Sequence, residues 1–485
     1  MTVLDIINST NINTKHACYL PLKVVPLNES QGHALKAVEA NTLTTVIGAA
    51  GTGKTSLITA VTAHFVLTGR NVLIVSKSDH AVDVVCDKLN NLGAEKIALR
   101  GGRKDSQYKL AHYLLNLIEG KVDLSDEGNG NILKYIFTGD NKEIIKMLKH
   151  KRNLDLKELV SDIDNRQQMI IQAKACMAVK KSLKNKIMSK IDFTPILKAI
   201  PIWCVTSAEI SNLLPMVKDM FNLVVVDESS EMDIASFLPC AYRAEKAMIV
   251  GDSQQLTSLR FMDNKKNMSF FAKHDISSDM QQIWNYAKNS LFDFAQYYSQ
   301  ECIMLNEQYR MPENVFKFSN DKFYGDRIKS AKTANVDALK KVFVGGETSA
   351  NKTCNFKECE AIIKYLKNWL NKNENNNKTI AILSMFHAQV DLIEKAIKRI
   401  FPFSEIEKHG ITVRTANGSQ GSQWNTVLLS WCIADNSKHQ SLTFTNNLNR
   451  FNVITTRAEE KLINFYSTKN LGDSLLGQYL SSINE

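Results

Sequence analysis

The run from Val46 to Ser56, VIGAAGTGKTS, constrains this chain more than any other stretch. A β-branched lead, Thr44 to Ile47, breaks into Gly48, Gly51 and Gly53. Lys54, Thr55 and Ser56 then open the helical pattern Leu57 to Val66. Strand, glycine loop and helix in that order fit the spacing G-x-x-x-x-G-K-[ST], with Gly48 and Gly53 as the outer glycines. The backbone N–H groups of such a loop wrap a polyphosphate at a helix N-terminus, where unpaired amides and the helix dipole both favour an anion. Lys54 then reaches the terminal phosphates, and the Thr55 hydroxyl ligates Mg²⁺. A glycine turn that merely precedes a helix is the bland alternative, and the full match in its strand–loop–helix setting outweighs it.

A chain of 485 residues with 44% hydrophobic residues has the length of about three ordinary domains and can bury a large core. The net charge of +10 favours a polyanionic partner, although a merely basic globular protein would carry it as well. Nine cysteines, an odd count without C-x-x-C pairs, read as reduced thiols in a cytoplasmic or nuclear setting. The N-terminus lacks a basic segment followed by an apolar one, and no apolar run reaches membrane-spanning length.

Taken in order, residues 1 to 26 form a short lead, followed by LNESQ, Leu27 to Gln31, where a glutamine side chain offers both donor and acceptor to an adenine edge. After the loop's helix, Asn71 to Val75 is a buried-type strand, SKSDHAVD follows, and Val84 to Leu92 reads as a helix before the basic turn RGGRK. Repeated strand–loop–helix units predict a parallel sheet whose loops gather at its carboxyl edge. From about 105 to 200 the pattern is helical and basic, with fourteen Lys/Arg against six Asp/Glu between Lys142 and Lys198, and no acid between Asn165 and Ile191. Ile170, Ile171, Met177, Val179, Leu183 and Ile187 supply its apolar stripe. This is a basic amphipathic helical insertion, suited to a solvated face, to nucleic-acid contact or to docking of a protein partner.

The sheet resumes at Ile202 to Ser207 and at Leu223 to Val226, which runs into Asp227 and Glu228. Adjacent carboxylates at a strand end suit a second magnesium anchor, Asp227, beside a residue that activates the attacking water, Glu228. A third strand, Ala247 to Val250, ends in GDSQQL, where amides could sense a γ-phosphate. Beyond LNEQYRM, Leu305 to Met311, a second series of units (TIAILSMFHAQ, ITVRTANGSQG, Val427 to Trp431, FNVITTRA and Lys461 to Tyr466) repeats the rhythm without a phosphate loop. NKNENNNK, 371 to 378, reads as a solvated loop.

In sequence, LNESQ, GAAGTGKT, SKSDHAVD, VTS, VVVDES, VGDSQQL, NEQYRM, SMFHAQ, TANGSQG and NVITTRA resemble the ordered motifs of superfamily 1 helicases. The resemblance is to the branch typified by the nonsense-mediated-decay helicase and its DNA- and RNA-unwinding relatives, and it covers about residues 27 to 466. It implies two tandem RecA-like α/β domains, 1–300 and 301–485, the first interrupted by the insertion at about 105–200. It places Gln31 at adenine, Gly51, Thr52, Gly53, Lys54, Thr55 and Ser56 around the phosphates, and Thr55 and Asp227 at magnesium. Glu228 becomes the catalytic base and Gln255 the γ-phosphate contact. Tyr309 lies beside the base, Gln423 stands where relatives hold the ribose, and Arg310 and Arg457 reach across from the second domain. Single-strand contacts fall on Ser78, Val205, Thr206, Ser384 and Thr415, which would grip phosphates without reading sequence.

The chain also departs from the pattern. Asn417 and Gln423 replace carboxylates common in relatives, which puts ribose contact in question. The 26 residues ahead of Leu27 are too few for the small barrel of many relatives, so the insertion lysines are expected to take over the clamp. Between Ser384 and Ile411 there is no room for the large insertion of the UvrD-like branch, which by resemblance implies 5′-to-3′ travel. The expectation is an ATP- and Mg²⁺-dependent single-strand DNA or RNA translocase or helicase that hydrolyses ATP between its two domains. The rival is an ATP-gated scaffold or remodelling subunit, marked by hydrolysis indifferent to nucleic acid. A small-molecule phosphotransferase would not need the arginines of NEQYRM and TTRA.

Overall fold

The computed structural model describes residues 3, 26–91, 98–102, 104–124, 141–178, 183, 187–188, 190–257, 262–349, 353–470 and 472–483. Over these residues the chain forms two compact units. One comprises Met1–Gly48, Gly53–Asp252 and Thr257–Leu305, the other Ala49–Thr52, Ser253–Leu256 and Asn306–Glu485.

The first unit is built on seven strands: β1 (Leu43–Ile47), β2 (Val72–Ser76), β3 (Ala98–Arg100), β4 (Ile202–Thr206), β5 (Phe221–Val226), β6 (Ala244–Gly251) and β7 (Glu301–Met304). They pair in the order β3-β4-β2-β5-β6-β1-β7, parallel throughout. Parallel strands covered on both faces read as continuous apolar runs, and β2 and β4 are buried along their whole length. Alternate residues feed opposite faces: Leu73, Val75, Val224 and Val226 enter one core, while Val72, Ile74, Leu223 and Val225 enter the other. The helical insertion (Lys104–Ile118, Asn141–Ser161, Ile163–Met177, Thr194–Ala199) shares the first of these cores through Leu110, Leu114, Leu156 and Met169.

In the second unit, β8 (Glu307–Pro312) and β9 (Lys329–Lys332) make a two-stranded ribbon. The strands β10 (Leu339–Phe343), β11 (Ile380–Ser384), β12 (Thr412–Thr415), β13 (Trp424–Ala434) and β14 (Ala458–Ser467) form a second parallel sheet, ordered β10-β14-β13-β11-β12. Both units are α/β with parallel sheets flanked by helices, the RecA-like architecture.

Several local readings change. The helix expected from Val84 starts at Asp79, because the Ser78 hydroxyl caps it by accepting the Ala81 N–H at 3.5 Å. The short edge strand β3 was not legible, since three residues carry no periodicity. Glu301–Met304 pairs with β1, so the first sheet continues past residue 300. In the helix Ile163–Met177 the buried face is Met169, Gln172, Ala173, Ala175 and Cys176, not the predicted stripe; Met177 is exposed, as is Leu183. Of the predicted stripe, Ile171 and Ile187 are half-buried against the first core. Val179 and the insertion lysines Lys180, Lys181, Lys184 and Lys186 lie outside the described residues.

Candidate nucleotide site

The glycine loop leaves the carboxyl end of β1, and its geometry explains its composition. Gly48 N–H donates to Gly251 O at 2.9 Å, tying the loop's start to the end of β6. Thr52 is fully buried and its hydroxyl donates to Ala49 O at 2.9 Å, closing the turn from within. Gly51 and Gly53 both have φ of 80°, where a side chain is strained. A Cβ on Gly53 would come within 2.6 Å of Gln31 Nε2, so the glutamine amide rests against the loop. Gln31 is held there by a capping box: its N–H donates to Asn28 Oδ1 at 2.8 Å, and Asn28 N–H donates to its Oε1 at 3.2 Å.

The helix Lys54–Leu67 begins directly after Gly53, with Thr55 half-buried in its first turn. Lys54 Nζ donates to Gly48 O at 3.0 Å and lies 3.8 Å from Glu228 Oε1. Glu228 N–H donates to Asp227 Oδ1 at 2.9 Å. Asp227 is buried, and desolvation together with the charge of Glu228 pushes its carboxyl up to about 7, against the pull of Lys54 and of that N–H. Glu228 adopts φ of 50°, and its Oε2 is buried without a hydrogen-bond partner among the described residues. One lysine and two carboxylates therefore converge beside the glycine loop at one sheet edge, next to the helix turn that carries Thr55. Asp227 and Thr55 are the oxygen donors that would suit a divalent cation there. Ser56 is drawn elsewhere, since its hydroxyl accepts from Lys88 Nζ at 2.8 Å.

Within the second unit, the LNEQYRM segment is bracketed by Gln308, a residue the motif reading did not single out. Its Oε1 accepts from Arg310 N–H (3.0 Å) and Met311 N–H (2.9 Å), while its Nε2 donates to Met311 O and Ser330 Oγ, both at 2.7 Å. Tyr309 N–H donates to Gly51 O at 2.9 Å, and Arg310 Nη1 donates to Thr456 O at 3.1 Å. Arg457 is buried, donating from Nε to Val453 O at 2.8 Å and from Nη1 to Ser422 O at 3.4 Å. Gln255 is also buried, and its carbonyl, like that of Ser253, accepts from Asn449 Nδ2; Asn452 Nδ2 donates to Gln254 O at 2.9 Å. Asn449 and Asn452 went unnoticed in the sequence, yet their i, i+3 spacing on the helix Leu448–Thr455 sets both on one face. Gln423 is exposed.

Most of the expected strand contacts have side chains that are buried or already hydrogen-bonded. The Val205 side chain lies wholly in the core of the first sheet, which leaves its backbone amide as the group that could meet a strand, and Thr206 is 5% exposed. Ser384 is buried, donating to Ser430 O at 2.8 Å. The Ser78 hydroxyl accepts the Ala81 N–H as a helix cap, which leaves its O–H able to donate, and half-buried Thr415 accepts from Gly418 N–H at 3.3 Å. At a strand's carboxyl end a small hydroxyl satisfies neighbouring backbone as readily as it meets a ligand, and sequence does not separate these uses.

Two family profiles, each described as an AAA domain, match residues 26–261 and 287–468. "Helicase sen1" of Schizosaccharomyces pombe is 24% identical over 91% of this chain and 29% of its own length. An "uncharacterized ATP-dependent helicase" of Methanocaldococcus jannaschii is 25% identical over 90% of this chain and 67% of its own. The "Regulator of nonsense transcripts 1 homolog" of Neurospora crassa is 23% identical over 90% and 37%. The chain thus spans less than a third of the sen1 helicase and little more than a third of the Neurospora relative. With both halves matched in motif order and relatives of one kind along nearly its whole length, the chain belongs to the superfamily 1 helicases, on the branch of the nonsense-mediated-decay helicase.

Proposed function

We propose that this protein hydrolyses ATP with Mg²⁺ to move along single-stranded DNA or RNA, travelling 5′-to-3′. The observation that carries the reading is the convergence of Gln31, Lys54, Asp227 and Glu228 on the glycine loop. Gln31 reads the adenine edge, the loop amides and Lys54 hold the phosphates, and Thr55 and Asp227 hold the metal. Bound magnesium would neutralise charge developing on the transferring phosphoryl group. Glu228 orients the attacking water and accepts its proton, and its unpartnered Oε2 is the free acceptor for that task. Arg310 and Arg457 supply positive charge to the transition state from the domain of residues 301–485, facing the ATP-binding domain of 1–300 across a cleft. Closure on ATP and opening after hydrolysis then shift the two grips on the strand.

The test is ATP turnover without nucleic acid, with single-stranded DNA and with single-stranded RNA. Turnover is expected to rise with a strand, and Lys54→Ala and Glu228→Gln each to lower it by about 10³-fold or more. Unchanged hydrolysis in both variants would sink the assignment, and hydrolysis indifferent to either strand would favour an ATP-gated scaffold.

A further inference from the structure

The second unit carries a groove lined by none of the residues assigned above to nucleotide or strand binding. The helices Phe356–Leu370 and His387–Ile400 lie side by side, sharing a core of Ile362, Leu366, Ile393 and Ile397. Between them runs a cavity of about 550 Å³ whose apolar lining includes Cys359, Ile363, Leu392 and Ala396. Phe356 and Ile400, 59% and 37% exposed, extend this uncovered apolar surface.

The cavity's charge is one-sided. Lys364 and Lys367 from one helix, with Lys395 and Arg399 from the other, stand exposed along it against one acid, Glu360. None of these four cations is ion-paired among the described residues, whereas the adjoining Lys398 is tied to Glu394 at 2.6 Å. Like charges on both walls repel one another and lower the stability of the bare unit, so they invite an opposite charge from outside. An apolar channel between two helices receives the i, i+3, i+4, i+7 stripe of a third helix. Flanking cations then select acids on either side of that stripe and speed encounter.

We propose that this groove docks an acidic amphipathic helix of a partner protein. A nucleic-acid strand would satisfy the lysines but leave the apolar lining unfilled, which favours the peptide. The proposal is independent of the reading of the nucleotide site.

The probe is a display library of random peptides of about 16 residues, a little over four helical turns, selected on the whole protein. Two groove variants serve as comparisons, Phe356→Glu with Ile400→Glu, and Lys364→Glu with Arg399→Glu. All four positions are exposed or edge positions, and thermal melts verify that the variants fold. Enriched peptides are expected to show apolar residues at helical spacing flanked by Asp or Glu. A synthetic peptide of the selected consensus should lose affinity about tenfold or more in each variant, and more weakly at high salt. Enriched peptides without acids, or equal affinity for wild type and variants, would overturn the proposal. So would displacement of the peptide by a homopolymer strand whose own binding falls in the charge-reversed variant, since the groove would then be a nucleic-acid surface.

Discussion

Arg457 sits in the second unit with its guanidinium on the carbonyls of Val453 and Ser422, a short distance along the chain from where Arg310 meets Thr456 O. To act on a transferring phosphoryl group it must exchange these neutral acceptors for a charged one, a trade that the developing transition-state charge makes favourable. Arg457→Ala is therefore expected to slow hydrolysis by about 10³-fold while a labelled ATP analogue still binds with nearly unchanged affinity. Binding that fails in step with catalysis would make Arg457 a ground-state ligand instead. Gln423 gives a second expectation. It is exposed and neutral where the family resemblance leads to the expectation of a carboxylate, and an amide accepts a ribose hydroxyl more weakly than an ionised group. The kcat/KM for dATP should approach that for ATP, and a strong preference for ATP would show that another residue recognises the 2′-hydroxyl.

At the scale of elements, the second unit is stitched by a buried carboxylate. Glu358, on the helix Phe356–Leu370, accepts from Ser430 Oγ at 2.6 Å and Cys432 N–H at 3.0 Å on β13, and from Ser467 Oγ at 2.7 Å on β14. Burial outweighs these donors and pushes its carboxyl up to about 7. Because the unfolded chain releases this proton near pH 4.5, the folded state holds it longer, and stability falls as pH rises from there to about 7. Denaturant melts of Glu358→Gln should show a flatter pH profile across that window, the wild-type loss attributable to this group being at most about 3 kcal/mol. Profiles of equal slope would refute the shift. The tie also shows what sequence makes visible. The strands β2, β4, β5 and β11 were legible because each is a continuous apolar run, and the glycine loop because its spacing is dictated by phosphate geometry. Glu358 was not, since a glutamate in a helix reads as solvent-facing until the strands beneath it are known. The start of the helix at Asp79 was hidden similarly, because Ser78 looks alike as a cap and as a ligand contact. The burial of the Val205 and Ser384 side chains was equally hidden, because motif position says which loop a residue adjoins, not which way its side chain turns.

For the whole molecule, the two-domain division followed from one rhythm of strands and helices stated twice, with a phosphate loop in the first series alone. The insertion's use is decided electrostatically. Replacing Lys180, Lys181, Lys184 and Lys186 by neutral residues should weaken strand binding regardless of sequence and flatten its log–log salt dependence by about 0.7 per lost contact, leaving ATP binding intact. Parallel lines of equal affinity across a salt series would rule out the clamp. A different cost is borne at Glu228. Its backbone takes a left-handed conformation that a glutamate disfavours by about 1 kcal/mol or more, and one carboxylate oxygen is buried without a partner among the described residues. Glu228→Gly, which relieves both, should melt at a higher temperature than wild type while losing turnover. A lower melting point would show that the carboxylate supports the fold. Screens for stability alone, applied to this protein, would thus discard its chemistry first, with the most durable variants emerging as inactive shells.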